Sequence, residues 1–336
     1  MTGESATATD AATDASAQVV ADVQRRVRHD WLDALKGIGI LLVVAGHIWT
    51  RGLFRDAIYA FHMPLFFMAT GAVAVATPWR IMVSRTARGL CLPFVSFGLL
   101  LLGLDVLIEG ARHVRPIFPD LWTGIRTILF ATETLRGPFG IFWFVPCLFI
   151  ARLIWNGLLM CAGGAGRPLM LAAMALAALA AVAVDHFGGR SPLGLLPVPA
   201  ALLMIWIGAL WRNWHPGRAI SLALCVLALL ALFWFPPLNL RAGEIGWPLI
   251  GLAGAVAITD RLAWLTRRLP LRLMHQLAWV GRNSLVLMFA HLAFVHYLWA
   301  YLPKPALFLV AVCGSLLVGW LARTNRVTRL FLLGER

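Results

Sequence analysis

Lys36 and His47 lie eleven residues apart at the two ends of one apolar run, Leu35 to Trp49. At about 100° per residue of α-helix, that spacing brings the two side chains within about 20° of each other. At about 1.5 Å per residue it separates them by about 16 Å along the axis. Asp33, three residues before Lys36, shares the stripe. A polar line of this kind is destabilising in hydrocarbon, so it is expected to face a cavity or a bundle interior. An imidazole there can take a hydroxyl proton near neutral pH, which reads His47 as a general base. A histidine bonded to a nearby carbonyl is the rival reading, and the company of Lys36 and Asp33 favours chemistry. Lys36 reads either as a topology charge reaching for the interface or as an anion site for a phosphate-bearing ligand entering from the cytoplasm. Asp33 orients Lys36 or a ligand, or complements the helix dipole.

Other residues join this line by position. His62 sits at the start of a second apolar run, Phe61-His62-Met63-Pro64-Leu65-Phe66-Phe67, where Pro64 bends a helix and frees a carbonyl. On an adjacent antiparallel helix it would reach the depth of His47. Trp143 and Phe144 read as cavity lining or as ordinary packing. Ser284 and His291, seven residues apart, share a helical face, and with Asn283 they suggest a lined cavity or helix-to-helix hydrogen bonding. His296 is turned about 140° from His291 and is set aside. His113, His186, His215 and His275 fall in expected loops and receive no role.

The elements that must position these groups follow from composition. The 336-residue chain is 60% hydrophobic and 13% charged, with mean hydropathy +0.81; an ordinary soluble domain is roughly 45–50% apolar and about 25% charged. The apolar excess comes in blocks of about 17–22 residues, enough to cross about 30 Å of hydrocarbon. The fold class is therefore an all-α, polytopic integral membrane bundle of about ten transmembrane helices. They are drawn at 32–50, 57–77, 90–108, 139–161, 168–185, 195–211, 218–235, 245–260, 283–302 and 305–322. Residues 78–89 form a basic connector, and residues 109–138 leave room for a short helix around Leu121 to Phe130.

Residues 1–28, rich in Ala, Thr, Ser and Asp, are expected to be a disordered cytoplasmic tail rather than a signal peptide. The membrane domain covers 29–322, and 323–336 is a short basic cytoplasmic tail. With both termini in the cytoplasm, the inner segments hold more than twice as many Lys and Arg as the outer ones. The net charge of +14 is thus a topology signal, and nucleic acid is not an expected partner. A multi-pass protein of the inner (plasma) membrane is expected. The five cysteines show no metal-ligand spacing and no disulfide framework, and no metal is expected. A phosphate-binding Gly-Lys-Ser/Thr loop, a Gly-x-Ser-x-Gly elbow and a His-Glu-x-x-His pair are all missing from the sequence.

Trp31 through His47, with a basic residue, ten intervening residues and then histidine, resembles the opening signature of the membrane acyltransferase 3 family. Phe61 to Phe67 followed by Thr70-Gly71 resembles its second helix, especially in fucose O-acetylase-like and exopolysaccharide acetylase members. Weaker likenesses follow in order at Arg88 to Phe94, at Phe142-Trp143-Phe144, and at Gly281 to Leu285 with His291. The resemblance implies a ten-helix enzyme that moves an acetyl group from acetyl-CoA to a hydroxyl of a carbohydrate: an exopolysaccharide, an O-antigen or a lipid-linked glycan. Carried over, it makes His47 the catalytic histidine and puts Lys36 at the basic position linked to the acyl donor; the residues themselves add His62 beside His47, and Asp33, Arg85 and Arg88 as further expected donor contacts. Trp143, Asn283, Ser284 and His291 become expected acceptor contacts. The bilayer, acetyl-CoA, a carbohydrate acceptor and polysaccharide assembly machinery are the implied partners. Lys36 stands where arginine is frequent, which removes a bidentate phosphate contact, and Thr70 stands where serine is frequent. A transporter or flippase for a glycan or lipid-linked sugar, and a non-catalytic scaffold, are the alternatives the same polar cavity would serve.

Overall fold

The computed structural model of the protein describes residues 30–335 apart from 190, 213 and 248, so the tail expected over 1–28 lies outside the described residues. The described chain is helical, with one isolated antiparallel bridge, Asn239 to Glu244. It is an all-α, polytopic membrane bundle. Six helices among the described residues are long and apolar enough to cross a membrane, and a seventh is formed if a bent pair is counted as one span. The six are α1 (Asp30–Ile48), the continuous helix Trp79–Ala111, Gly137–Ala162, Pro168–Phe187, Pro192–Trp211 and Lys304–Thr324. The bent pair, Leu271–Arg282 and Ser284–Leu298, turns by 72°.

Of the ten drawn segments, those at 57–77, 218–235, 245–260 and 283–302 form helices shorter than these six spans. The segment drawn at 57–77 breaks into α2 (Leu53–Tyr59) and α3 (His62–Val73). Pro64 lies in the first turn of α3, where no amide hydrogen is needed, and its ring excludes the carbonyl of Ala60 from a continuing helix. The bend therefore precedes the proline. The basic connector forms α4 (Trp79–Thr86), which runs through a π-helical turn, Ala87–Cys91, into α5 (Leu92–Ala111). The short helix α6 (Leu121–Phe130) occupies the residues where one was expected, capped by Asp120, whose carboxylate accepts from the Thr123 amide at 2.8 Å. The remaining helices are α7 (Phe144–Ala162), α8 (Pro168–Phe187), α9 (Val198–Trp211), α10 (Arg218–Phe233), α11 (Ile250–Thr266), α12 (Leu271–Arg282), α13 (Ser284–Leu298), α14 (Lys304–Thr324) and α15 (Arg326–Leu333).

Two close crossings set α1 and α3 in place. Gly281 on α12 meets the Asp33 carbonyl of α1, and Gly37 of α1 meets the Leu277 carbonyl of α12. Gly71 on α3 meets the Ile205 carbonyl of α9, while Gly208 of α9 meets the Met68 carbonyl of α3. A β-carbon at any of these four positions would overlap backbone, so small residues let the helices touch. At the centre, Phe97 of α5 stacks on Phe289 of α13, with ring centroids 5.0 Å apart and planes 16° apart. Phe142 packs against both Phe94 and Phe289 at 5.3 and 5.2 Å. This aromatic wedge packs α13 against α5.

Candidate active site

Three helices each carry a stripe into one passage. On α1 the stripe is Lys36, Ile40, Val43 and then His47, at steps of three or four residues. On α13 it is Ser284, Met288 and then His291. On α3, which runs the opposite way, it is Thr70, Phe66 and Met63, with His62 one residue further on and about 100° round the helix. The middle members of all three line a narrow, mostly apolar cavity of about 180 Å³, closed on its other side by Phe144 and Leu148 of α7. The throat ends one turn short of the histidines.

At the lower end, Lys36 also lines a polar basin of about 270 Å³. Its Nζ is 2.5 Å from Asp33 Oδ1. Arg85 of α4 and Arg152 of α7 line the same basin, which makes three cations at one mouth. The floor is fixed by Asn156, whose amide pairs with the backbone of Thr77 in both directions at 2.9 Å. Trp155 also lines the basin, and its indole N–H is buried without a hydrogen-bond partner among the described residues.

At the upper end the histidines converge. The His47 and His291 rings lie 5.3 Å apart, and Tyr59 stands 6.3 Å from His47 and 4.7 Å from His62. His62 Nδ1 is 2.9 Å from the Ile58 carbonyl, a bond that bridges the break between α2 and α3. His291 Nδ1 is 2.6 Å from the Leu287 carbonyl. A carbonyl only accepts, so Nδ1 donates in both rings, and each neutral ring then presents Nε2 as its acceptor. His291 Nε2 is buried with no hydrogen-bond partner among the described residues. His47 differs from both: it is half-buried and lines an open cavity of about 590 Å³ with Tyr59, Arg136, Arg241, His296 and Trp299.

A family model described as an acyltransferase domain matches residues 29–324. The chain belongs to the membrane acyltransferase 3 family. It is thus an acyltransferase-type membrane enzyme, and membership implies an acyl-CoA-dependent mechanism. No curated protein and no solved structure matches the chain.

The acyltransferase does not bring every expected residue to this passage. Trp143 is buried in the core, edge-on to Phe144 at 5.9 Å, and lines none of these cavities; its neighbour Phe144 lines the throat instead. Asn283 occupies the break between α12 and α13. Its Nδ2 donates to the Trp279 carbonyl and its Oδ1 accepts from Arg323, both at 2.8 Å, so both ends of the amide are engaged within the protein. Ser284 lines the throat, far down the stripe from His291. Arg88 parts from Arg85: it follows the start of the π-helical turn and opens with Arg326 and Arg329 into a separate cavity of about 560 Å³.

Several site residues escaped sequence reasoning. Arg152 and Asn156, four apart inside an otherwise apolar helix, were visible as a polar stripe. Tyr59, Arg136 and Arg241 come from a short helix and two loops, and no periodicity marks them. His296, set aside by its angle to His291, lines the His47 cavity from the next face of α13. Its Nε2 is 3.6 Å from Glu109, in a buried cluster with Asp105. These groups have a metal-ligand composition, yet the carboxylates already have protein donors. Asp105 accepts from the Tyr297 hydroxyl at 2.9 Å and the Ile117 amide at 2.7 Å, and Glu109 accepts from Arg112 at 3.2 Å. The cluster ties α5 to α13 at the rim of the cavity.

Proposed function

We propose that this protein is an O-acetyltransferase of the inner membrane, moving an acetyl group from acetyl-CoA to a carbohydrate hydroxyl. The acceptor class is an exopolysaccharide, an O-antigen or a lipid-linked glycan, and assembly machinery for such a glycan is its partner. One observation carries the reading: a basic basin opens at Lys36 and Thr70 into a throat lined by α1, α3 and α13, and a cavity lined by His47 lies one turn beyond the throat along α1. The Lys36 end faces the cytoplasm with both termini, and the shorter helices α3, α10, α11 and α13 complete a set of ten crossings.

Lys36, Arg85 and Arg152 offer three positive charges to the phosphates of the donor, with Asp33 orienting Lys36. The buried indole N–H of Trp155 offers a donor to an amide carbonyl of the pantetheine arm. The distance from Lys36 to His47, about 16 Å, matches an extended arm of that kind. The thioester supplies an activated acyl carbon at the upper end of the throat. His47 takes the proton as a carbohydrate hydroxyl attacks that carbon; the C–O bond forms, the C–S bond breaks, and the proton passes from His47 to the departing thiolate. The Tyr59 hydroxyl offers a donor to the developing oxyanion, and His62, whose own N–H is engaged by the Ile58 carbonyl, packs against that ring at 4.7 Å.

The test is acetyl transfer by purified protein in proteoliposomes, using radiolabelled acetyl-CoA and a panel of glycans. Label in a glycan is the expected result. Passage of a glycan across the vesicle without label would overturn the proposal in favour of transport.

A further inference from the structure

The geometry points to an acceptor that is itself anionic, with a carboxylate or phosphate beside the hydroxyl to be acylated. The inference rests on the acetyl-transfer reading above and names the substrate class of the same cavity.

The charged side chains lining the 590 Å³ cavity of His47 are Arg136 and Arg241, and no carboxylate lines it among the described residues. Arg241 Nη2 donates to the Leu135 carbonyl at 2.6 Å, which seats its guanidinium at the residue next to Arg136. Two loops far apart in sequence are thereby joined so that two cations share one wall. The rim adds two more, and it also carries Asp105 and Glu109, whose carboxylates already accept from Tyr297, the Ile117 amide and Arg112. Arg55, paired with Asp56 at 3.0 Å, lies 4.0 Å over the ring of Tyr59, and Lys304 lies 5.9 Å from the ring of Trp299. Tyr59 and Trp299 both line the cavity.

Two physical arguments turn this into a substrate. An arginine has five N–H donors and no acceptor. A neutral sugar hydroxyl both donates and accepts, whereas a carboxylate or phosphate only accepts, so a wall of guanidiniums suits the anion. The second argument is topological. On the orientation proposed above this is the outer face, where Lys and Arg are under-represented. Arg136, exposed on that face and lining the cavity, is a local departure from this bias, and a bound anion supplies its cause. The rings of Tyr59 and Trp299 then offer apolar faces to the sugar itself.

The experiment measures transfer by the full-length protein in proteoliposomes to three acceptors: a uronate-containing oligosaccharide, the same oligosaccharide with its carboxyls reduced to alcohols, and a sugar phosphate of the same sugar. The acidic acceptor is expected to show a KM at least about 10-fold below that of its reduced counterpart, the scale of one charged hydrogen bond. The preference shrinks as salt rises. Arg136→Gln removes most of it and Arg136→Lys keeps part. Preference for the uronate assigns an acidic sugar, and preference for the phosphate assigns a sugar phosphate. Equal use of the uronate and its reduced form by wild type at low salt, with the sugar phosphate no better, overturns the inference and leaves acetyl transfer standing. Transfer to none of the acceptors in the wider panel overturns acetyl transfer, and this inference with it.

Discussion

The two ends of the passage are built differently. The lower basin collects Lys36, Arg85 and Arg152 from three helices, and its polar shape comes from a bidentate clamp between Asn156 and Thr77. It has charge and room but no imidazole. Near the upper cavity His62 and His291 are each locked by a carbonyl four residues back, while His47 and His296 line the open space. The contrast teaches a division of labour: long-range charge can hold a flexible anionic donor, while chemistry at one bond needs a ring whose orientation is set by packed neighbours. The apolar throat rises from the basin and stops one turn short of the histidines, which keeps the two apart.

If the upper end carries the chemical step and the lower end binds, His47→Ala should lower kcat by about 10²–10⁴-fold with the KM for acetyl-CoA unchanged. Steady-state kinetics in proteoliposomes would check this, and a well-inserted variant with normal kcat would end the assignment. Filling the throat should uncouple the two ends. Val43→Phe is expected to lower transfer by about 100-fold, as misplacement near 1 Å does, while acetyl-CoA still protects the lower basin in a binding assay. Lys36→Ala should raise the KM for acetyl-CoA by about 10-fold, one charge-assisted contact, with kcat nearly intact. A fall in kcat alone would erase the distinction between the ends.

The smallest expected effect concerns the short helix α6, packed against α5. Hydrogen bonds from the Thr123 amide and then its hydroxyl hold the Asp120 carboxyl below the ordinary carboxylate value. A folded value below the unfolded one means the cap contributes above the usual Asp pKa of about 3.9 and is lost as pH falls through the lower folded value. Circular dichroism should show acid fraying of α6 in wild type, and Asp120→Ala should show slight fraying already at neutral pH. An acid response that persists in Asp120→Ala would place its origin elsewhere.

Much of α1 was legible. Lys36 and His47 share a stripe because both lie in one unbroken helix, where angle and rise follow from residue count alone. The same arithmetic on α13 misjudged two residues. Ser284 and His291 share a face, yet they sit at different depths, one in the throat and one above it. His296 points to a different face of α13, yet the cavity wraps far enough to reach it. Arg85 and Arg88 parted because a π-helical turn intervenes, a change in winding that three residues of sequence do not announce.

The sequence by itself determined that this is a helical membrane protein, that Lys36 and His47 form a polar line on its first helix, and that a family signature begins there. Those properties depend on neighbours within about four residues and on apolar length. Only the tertiary structure decided that His47 faces a cavity while His62 and His291 do not. Only it brought Arg136 and Arg241 to one wall, and only it used Asn283 to stitch helices together. Those outcomes depend on how closely helices approach, which the glycine crossings of α1 on α12 and of α3 on α9 control. A contact between residues more than a hundred positions apart, such as Arg241 on the Leu135 carbonyl, leaves no periodic trace in the chain that makes it.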